Sequence, residues 1–219
     1  MSYPQFEKIF QEKMQGVLTS DPAHDILHVK RVVQTAFSLI DESMSVKKDV
    51  LFAACWLHDY VNLPKDHPDR KKASVLSADA AIVFLKSINY PTDSFEEIHH
   101  AICAHSFSAG IPPLSVEAKL LQDADRLDAL GAIGLARLFS ISTQMQKPFY
   151  SEEEPIAQMR ALDDKQFALD HIFIKLNKLP ELMNTQQAKK LANQRIEFIN
   201  LFLKQINSEI LCVESFQHL

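Results

Sequence analysis

Residues 50–57 read Val-Leu-Phe-Ala-Ala-Cys-Trp-Leu, with no polar side chain among them, and the next two residues are His58 and Asp59. A helix this apolar has no face to offer water, so it is buried on most sides. An imidazole and a carboxylate delivered from its end meet a medium that penalises them. Buried polar groups need partners, and buried charges need a counter-charge or a metal. The rest of the chain is therefore read for groups that could meet this pair.

Elsewhere apolar residues recur mostly at spacings of three and four, and only four glycines occur in 219 residues. Hairpin signals are missing, so the fold class expected is all-α. Pro4 suits a first helical turn, after which Phe6, Phe10, Met14 and Val17 form one stripe. Asp21 is an N-cap candidate for a second helix running to about Glu42, on which His24, His28 and Arg31 share a face. A helix from about Lys48 ends in the His58-Asp59 pair. Residues 62–72 hold two prolines and dense charge and read as a loop, with Lys65, Arg70, Lys71 and Lys72 making it basic. Helices are expected from Ala73 to about Asn89, then from a Ser94 cap through His99, His100 and His105. Another follows from a Ser115 cap through Asp123, Asp125 and Asp128. Gly131 and Gly134 permit close approach or a break. Residues 146–155 read as a mobile loop, and Phe167–Lys178 and Gln186 to about Ile210 as amphipathic helices. One domain over 1–219 is the expectation, its core at about 20–145, with C-terminal helices in 160–210 packing on it.

Hydrophobic residues make up 47% and charged residues 23%, an ordinary globular balance. A net charge of -5 and a pI near 6.0 argue against general nucleic-acid binding. No apolar run approaches the roughly 20 residues of a membrane span. Cys55, Cys103 and Cys212 have no paired spacing and read as free thiols of a reducing, cytoplasmic compartment.

Taken singly the polar signals are weak. A lone helical histidine is more often a satisfied core or surface residue, and the loop cations alone read as a solvated surface. As a set, His28, His58-Asp59 and Asp125 each lie near an apolar helical segment. Two imidazoles and two carboxylates suit Mn²⁺, Mg²⁺, Fe²⁺, Ni²⁺, Co²⁺ or Zn²⁺ without choosing among them.

Asp25-Ile26-Leu27-His28-Val29-Lys30-Arg31-Val32, Leu57-His58-Asp59 and Leu121 through Gly131 together resemble the HD-domain metal-dependent phosphohydrolase superfamily. The ordered H…HD…D signature is complete, and the resemblance covers about residues 20–145. It implies an HD-type helical bundle in which His28, His58, Asp59 and Asp125 bind one divalent metal ion. The D-A-D-R-L match assigns the last ligand to Asp125 rather than Asp123 or Asp128. The sequence is most similar to bacterial HD hydrolases sharing His24-Asp25, Arg70 with Ala73-Ser74, and His105-Ser106-Phe107-Ser108, some of which are nucleotide pyrophosphohydrolases. The implied reaction is hydrolysis of a phosphoester or phosphoanhydride of a small molecule, a nucleotide being the leading class. A cation in such a site lowers the pKa of water toward about 7 and polarises a phosphoryl oxygen. Arg31 is a candidate for stabilising the phosphoryl charge, and His24, Lys65, Arg70 and Lys72 for binding the phosphate.

His105 has two readings of equal weight: a phosphate-binding or proton-shuttling group, and a surface histidine at a helix end. One position departs from the family. Several HD nucleotidases carry a glutamate three residues after the HD aspartate; here Asn62 stands there and cannot act as a base. Asp128 is the candidate substitute, with an ion pair to Arg126 or a nearby lysine, or a hydrogen bond that orients a ligand histidine, as the competing readings. A regulator that binds metal or nucleotide without turnover is the alternative function. A purely structural helical protein, or a di-iron site recruiting His99, His100 or His24, are remoter ones. A homodimer is compatible with the sequence.

Overall fold

The computed structural model describes residues 4–18, 25–63 and 67–211. Among them are the helices α1 (Pro4–Val17), α2 (Ile26–Ser38), α3 (Lys48–Leu57), α4 (Ala73–Ser87), α5 (Phe95–His105), α6 (Val116–Asp128), α7 (Gly131–Gln144), α8 (Asp170–Ile174) and α9 (Gln186–Ile210). Short 3₁₀ turns lie at Arg70–Lys72, Phe107–Ala109 and Leu176–Leu182. No strand occurs among the described residues, so the all-α expectation holds. No helix among them is long and apolar enough to cross a membrane. The chain forms two compact units, Met1–Asp125 and Arg126–Leu219.

In the first unit α3 is the inner helix. Every residue from Val50 to Leu57 is buried, as its unbroken apolar run requires. Helices α1, α2, α4 and α5 pack around it. Burying each large side chain of this kind is worth about 1.5–3 kcal/mol relative to exposure. The stripe of α1 delivers Phe10 against Phe52, Phe84 and Tyr90, with ring centroids 5.6, 6.1 and 5.6 Å away. Tyr90 keeps its hydroxyl paired by donating to the Asp49 carbonyl at 2.8 Å. The start of α3 is held from α6, where buried Glu117 accepts the Lys47 backbone N–H at 2.7 Å. An anionic acceptor there also suits the positive end of the helix dipole. Cys55 and Cys103 are free and buried; Cys212 lies outside the described residues.

Three boundaries differ from the sequence reading. Helix α2 stops at Ser38 rather than near Glu42 and starts at Ile26, its N-cap being Asp25, whose carboxylate accepts the His28 N–H at 2.8 Å. Asp21 lies outside the described residues. Ser94 sits at the N-cap of α5 without a side-chain bond, whereas Ser115 accepts the Ala118 N–H at 3.1 Å. Phe167–Lys178 is not one helix: α8 has five residues and passes into the 3₁₀ turn carrying Pro180.

In the second unit α9 packs on α7 and on the Leu176–Leu182 turn. The segment expected to be mobile is fastened instead. Leu169 N–H reaches the Phe149 carbonyl at 2.9 Å, and Lys147 Nζ the Asp164 carbonyl at 3.0 Å. Glu154 accepts the backbone N–H groups of Met159 and Arg160. Loop composition alone does not reveal such long-range partners.

Both glycines in the first turn of α7 are required by geometry. Gly131 has φ +72°, and the Arg195 stem lies 3.3 Å from where its Cβ would stand. A Cβ on Gly134 would fall 2.1 Å from the Ala129 carbonyl oxygen, which is backbone and cannot swing aside. Gly134→Ala is expected to destabilise the protein by at least about 1–3 kcal/mol, the usual cost of overpacking. Urea denaturation checks this, and a wild-type midpoint would contradict the close approach.

Candidate metal centre

Four elements of the first unit bring five polar side chains together. His28 stands in the first turn of α2, oriented by the Asp25 cap. His58 closes α3 and Asp59 follows it. His105 is the last residue of α5, and Asp125 comes from α6. His28, His58 and His105 are 1%, 0% and 6% exposed. Three imidazoles so deeply buried need polar partners, and they find them chiefly in one another and in Asp59 and Asp125.

His28 Nε2 lies 3.3 Å from His58 Nε2, 3.4 Å from Asp125 Oδ1 and 3.7 Å from Asp59 Oδ2. His58 Nε2 lies 3.5 Å from Asp59 Oδ2. Bonds of about 2.1 Å to a tetrahedral or octahedral ion put neighbouring donor atoms roughly 3.0–3.4 Å apart. His28 Nε2 therefore stands within a few tenths of an ångström of shell spacing from each of the other three donors, and two groups of side chains, His28-His58-Asp125 and His58-Asp59-His105, lie close enough to hold an ion. The tautomer agrees: His58 Nδ1 donates to the Cys55 carbonyl at 2.8 Å, leaving the Nε2 lone pair aimed at the cluster. Burial holds His58 below the ordinary imidazole range. Burial opposes ionisation of Asp59 as well, but His58, His105 and His28 outweigh it and hold the carboxyl well below the usual range. A neutral imidazole and an ionised carboxylate are the forms that bind a cation.

His105 is a buried neighbour of this cluster and not a surface histidine. Its Nδ1 is committed to the Ile102 carbonyl at 2.6 Å, and its Nε2 lies 3.7 Å from Asp59 Oδ1. Asp59 thus turns one oxygen to His28 and His58 and the other to His105. The end of α5 is set by Gln122 of α6, which donates to the Ala104 carbonyl at 2.7 Å. Sequence reasoning passed over Gln122; its place one helical turn before Asp125 was the available signal.

The other candidates divide. Arg31 lies one turn beyond His28 on α2 and is partly exposed. Lys72 is exposed and pairs with Asp69 at 2.8 Å. Arg70 donates to the Asn62 side chain at 3.2 Å and to the Leu63 carbonyl. His24 and Lys65 lie outside the described residues. Asp128, in the second unit, is 5% exposed and accepts Arg137 Nη1 at 2.5 Å, a partner other than Arg126 or a lysine. His99 is engaged by Asp79 at 2.8 Å, and His100 accepts the Leu114 N–H at 3.1 Å.

The HD domain family model matches residues 25–130. An uncharacterised protein of Bacillus subtilis, YpgQ, is 32% identical over 202 residues, which cover 90% of each chain. With the helical fold and the ordered H…HD…D residues, these matches define the class: the chain belongs to the HD-domain superfamily. The crystal structure of YpgQ in complex with ADP superposes with a TM-score of 0.68 at 28% identity, covering 93% of this chain and 97% of that one. An HD-superfamily hydrolase from Bacillus thuringiensis superposes with a TM-score of 0.70, also at 28% identity, covering 95% and 98%.

Proposed function

We propose that this chain is a metal-dependent phosphohydrolase that cleaves a phosphoester or phosphoanhydride of a small molecule, with a nucleotide as the substrate class. The observation that carries the reading is the convergence of His28, His58, Asp59 and Asp125, from helices α2 and α6 and the end of α3, with His28 Nε2 3.3–3.7 Å from a donor atom of each of the other three. These four would hold the cation, which when bound activates water and polarises a phosphoryl oxygen. The ADP complex of YpgQ supports a nucleotide as the ligand class.

In this reading water adds its oxygen to phosphorus and the bridging P–O bond breaks. The water proton leaves, and the departing oxygen carries away the bonding pair. His105 Nε2 is the atom available to exchange a proton, because Nδ1 is held by Ile102. Asp59 Oδ1 faces that atom and fixes it against the reacting centre. Arg31 and Lys72 supply positive charge toward the phosphoryl oxygens. Asp128 is given no proton to handle, since Arg137 takes its carboxylate.

Purified protein with Mn²⁺ is expected to release product from some member of a panel of nucleotides and small phosphoesters. Chelation should lower the rate by about 10²-fold or more, and added Mn²⁺ should restore it. Asn62 motivates a second reading, a regulator that binds metal and nucleotide without turnover. Stoichiometric nucleotide binding with no product across the panel would select it.

A further inference from the structure

Arg70 is turned back onto the loop that leaves Asp59. Its Nη1 donates to the Asn62 side chain and to the Leu63 carbonyl. Arginine has only donors, so the Asn62 atom facing it is the amide oxygen. Nδ2, with its two N–H donors, is turned away from Arg70. The same loop is fastened one residue earlier. Val61 donates its N–H to Ser77 Oγ at 2.9 Å, and that hydroxyl is 3.3 Å from the Val61 carbonyl. Ser77 is 1% exposed on α4, so the fastening point is fixed. Asn62 itself is partly exposed.

The location is bounded from two directions. Asn62 is three residues beyond Asp59, which limits their Cα separation to about 11 Å. The turn carrying Arg70 also lies against the Phe107–Ala109 turn, which begins two residues after His105. His105 in turn faces Asp59. These bounds place position 62 in the loop that leaves Asp59, within reach of the carboxylate- and imidazole-lined centre, where a neutral donor admits negative charge that a carboxylate would repel.

We propose that Asn62 Nδ2 donates to a phosphate oxygen of the ligand and that Arg70 is the positioning residue that fixes this orientation, acting through Asn62 and not on the phosphate. Position 62 then sets how much negative charge the site accepts, and its amide suits the added charges of a di- or triphosphate. The identity of the anion rests on the phosphohydrolase reading above.

The test is calorimetric titration of the Mn²⁺-loaded protein with ADP and, separately, with inorganic phosphate. Wild type is compared with Asn62→Asp, Asn62→Ala, Arg70→Met and the double variant Asn62→Ala/Arg70→Met, with Tm and bound Mn²⁺ recorded for each. Asn62→Asp keeps an acceptor for Arg70, so wild-type Tm and Mn²⁺ content are expected. Its affinity for ADP should fall tenfold or more, and for inorganic phosphate by less. Arg70→Met should weaken ADP binding, and the double variant should bind no more weakly than Asn62→Ala, because the two residues act in series. Wild-type affinity in Asn62→Asp overturns the proposal. Losses that multiply in the double variant also overturn it, since they put Arg70 on the ligand itself. So does a wild-type protein that takes up Mn²⁺ and binds neither probe. Wild-type protein that binds ADP with the expected dependence but releases no product removes the hydrolase reading and leaves this one standing.

Discussion

His58→Ala and Asp59→Ala are each expected to remove both the metal and the activity while leaving a helical protein. The two residues play different parts in one geometry. His58 Nε2 is the donor nearest His28, and Asp59 is the carboxylate that offsets three buried imidazoles. Losing either leaves a ligand set that no longer closes around a cation. Product formation should fall about 10³-fold or more, the scale on which water activation and charge stabilisation act. The fold should survive. Removing the His58 ring orphans the Cys55 carbonyl, at about 1–3 kcal/mol, against a typical domain stability of about 5–15 kcal/mol. His105→Ala serves as the contrast. It should retain bound metal and lose about 10–100-fold in rate, the usual cost of a group that supports ligands or moves protons. Elemental analysis, far-UV circular dichroism and the hydrolysis assay together decide. Full activity in either His58→Ala or Asp59→Ala would refute the proposed site.

The parts of this molecule that sequence exposed are those written in local pattern. The apolar run 50–57 forced α3 inside, and the ordered signature points to His28, His58, Asp59 and Asp125, which the fold brings near one another. Partners from afar were not visible. Nothing in the charge run 65–72 says that Arg70 turns back to Asn62. Nor does the α6 pattern say that Asp128 goes to Arg137 on α7. His105 shows the limit well. Its place at a helix end leaves a site role and a surface role level, because its depth depends on how α5 packs against α3, which no local rule states. The segment after Met145 failed for the opposite reason. Its prolines and glutamates look like mobile loop, but Glu154 spends its carboxylate on the N–H groups of Met159 and Arg160. A polar composition fits solvent or a backbone partner equally well.

The largest stability effect is expected in that same segment. Asp170, fully buried at the start of α8, accepts both Arg160 terminal nitrogens, at 2.6 and 2.7 Å, and the Asp163 N–H at 2.7 Å. The Arg160 guanidinium lies over the Phe167 ring, 4.7 Å from its centroid, and its Nε donates to the Glu154 carbonyl at 2.9 Å. One side chain therefore ties together Glu154, Phe167 and Asp170. Arg160→Ala leaves a fully buried carboxylate with a single backbone donor, the costly way to break such a pair, at about 3–5 kcal/mol. Asp170→Ala should cost less, because the Arg160 side chain is 20% exposed and its charge can turn to water. Asp170→Asn, which keeps the shape and one acceptor, should cost least. The order Arg160→Ala, Asp170→Ala, Asp170→Asn in urea midpoints is the signature of a desolvated carboxylate. Equal losses in all three would mean that packing around Phe167, and not the ion pair, holds the segment down. Metal content is a second readout, because Arg160 and Asp170 belong to the unit Arg126–Leu219 and all four proposed ligands to Met1–Asp125. Bound Mn²⁺ per folded chain should stay at the wild-type value in all three variants.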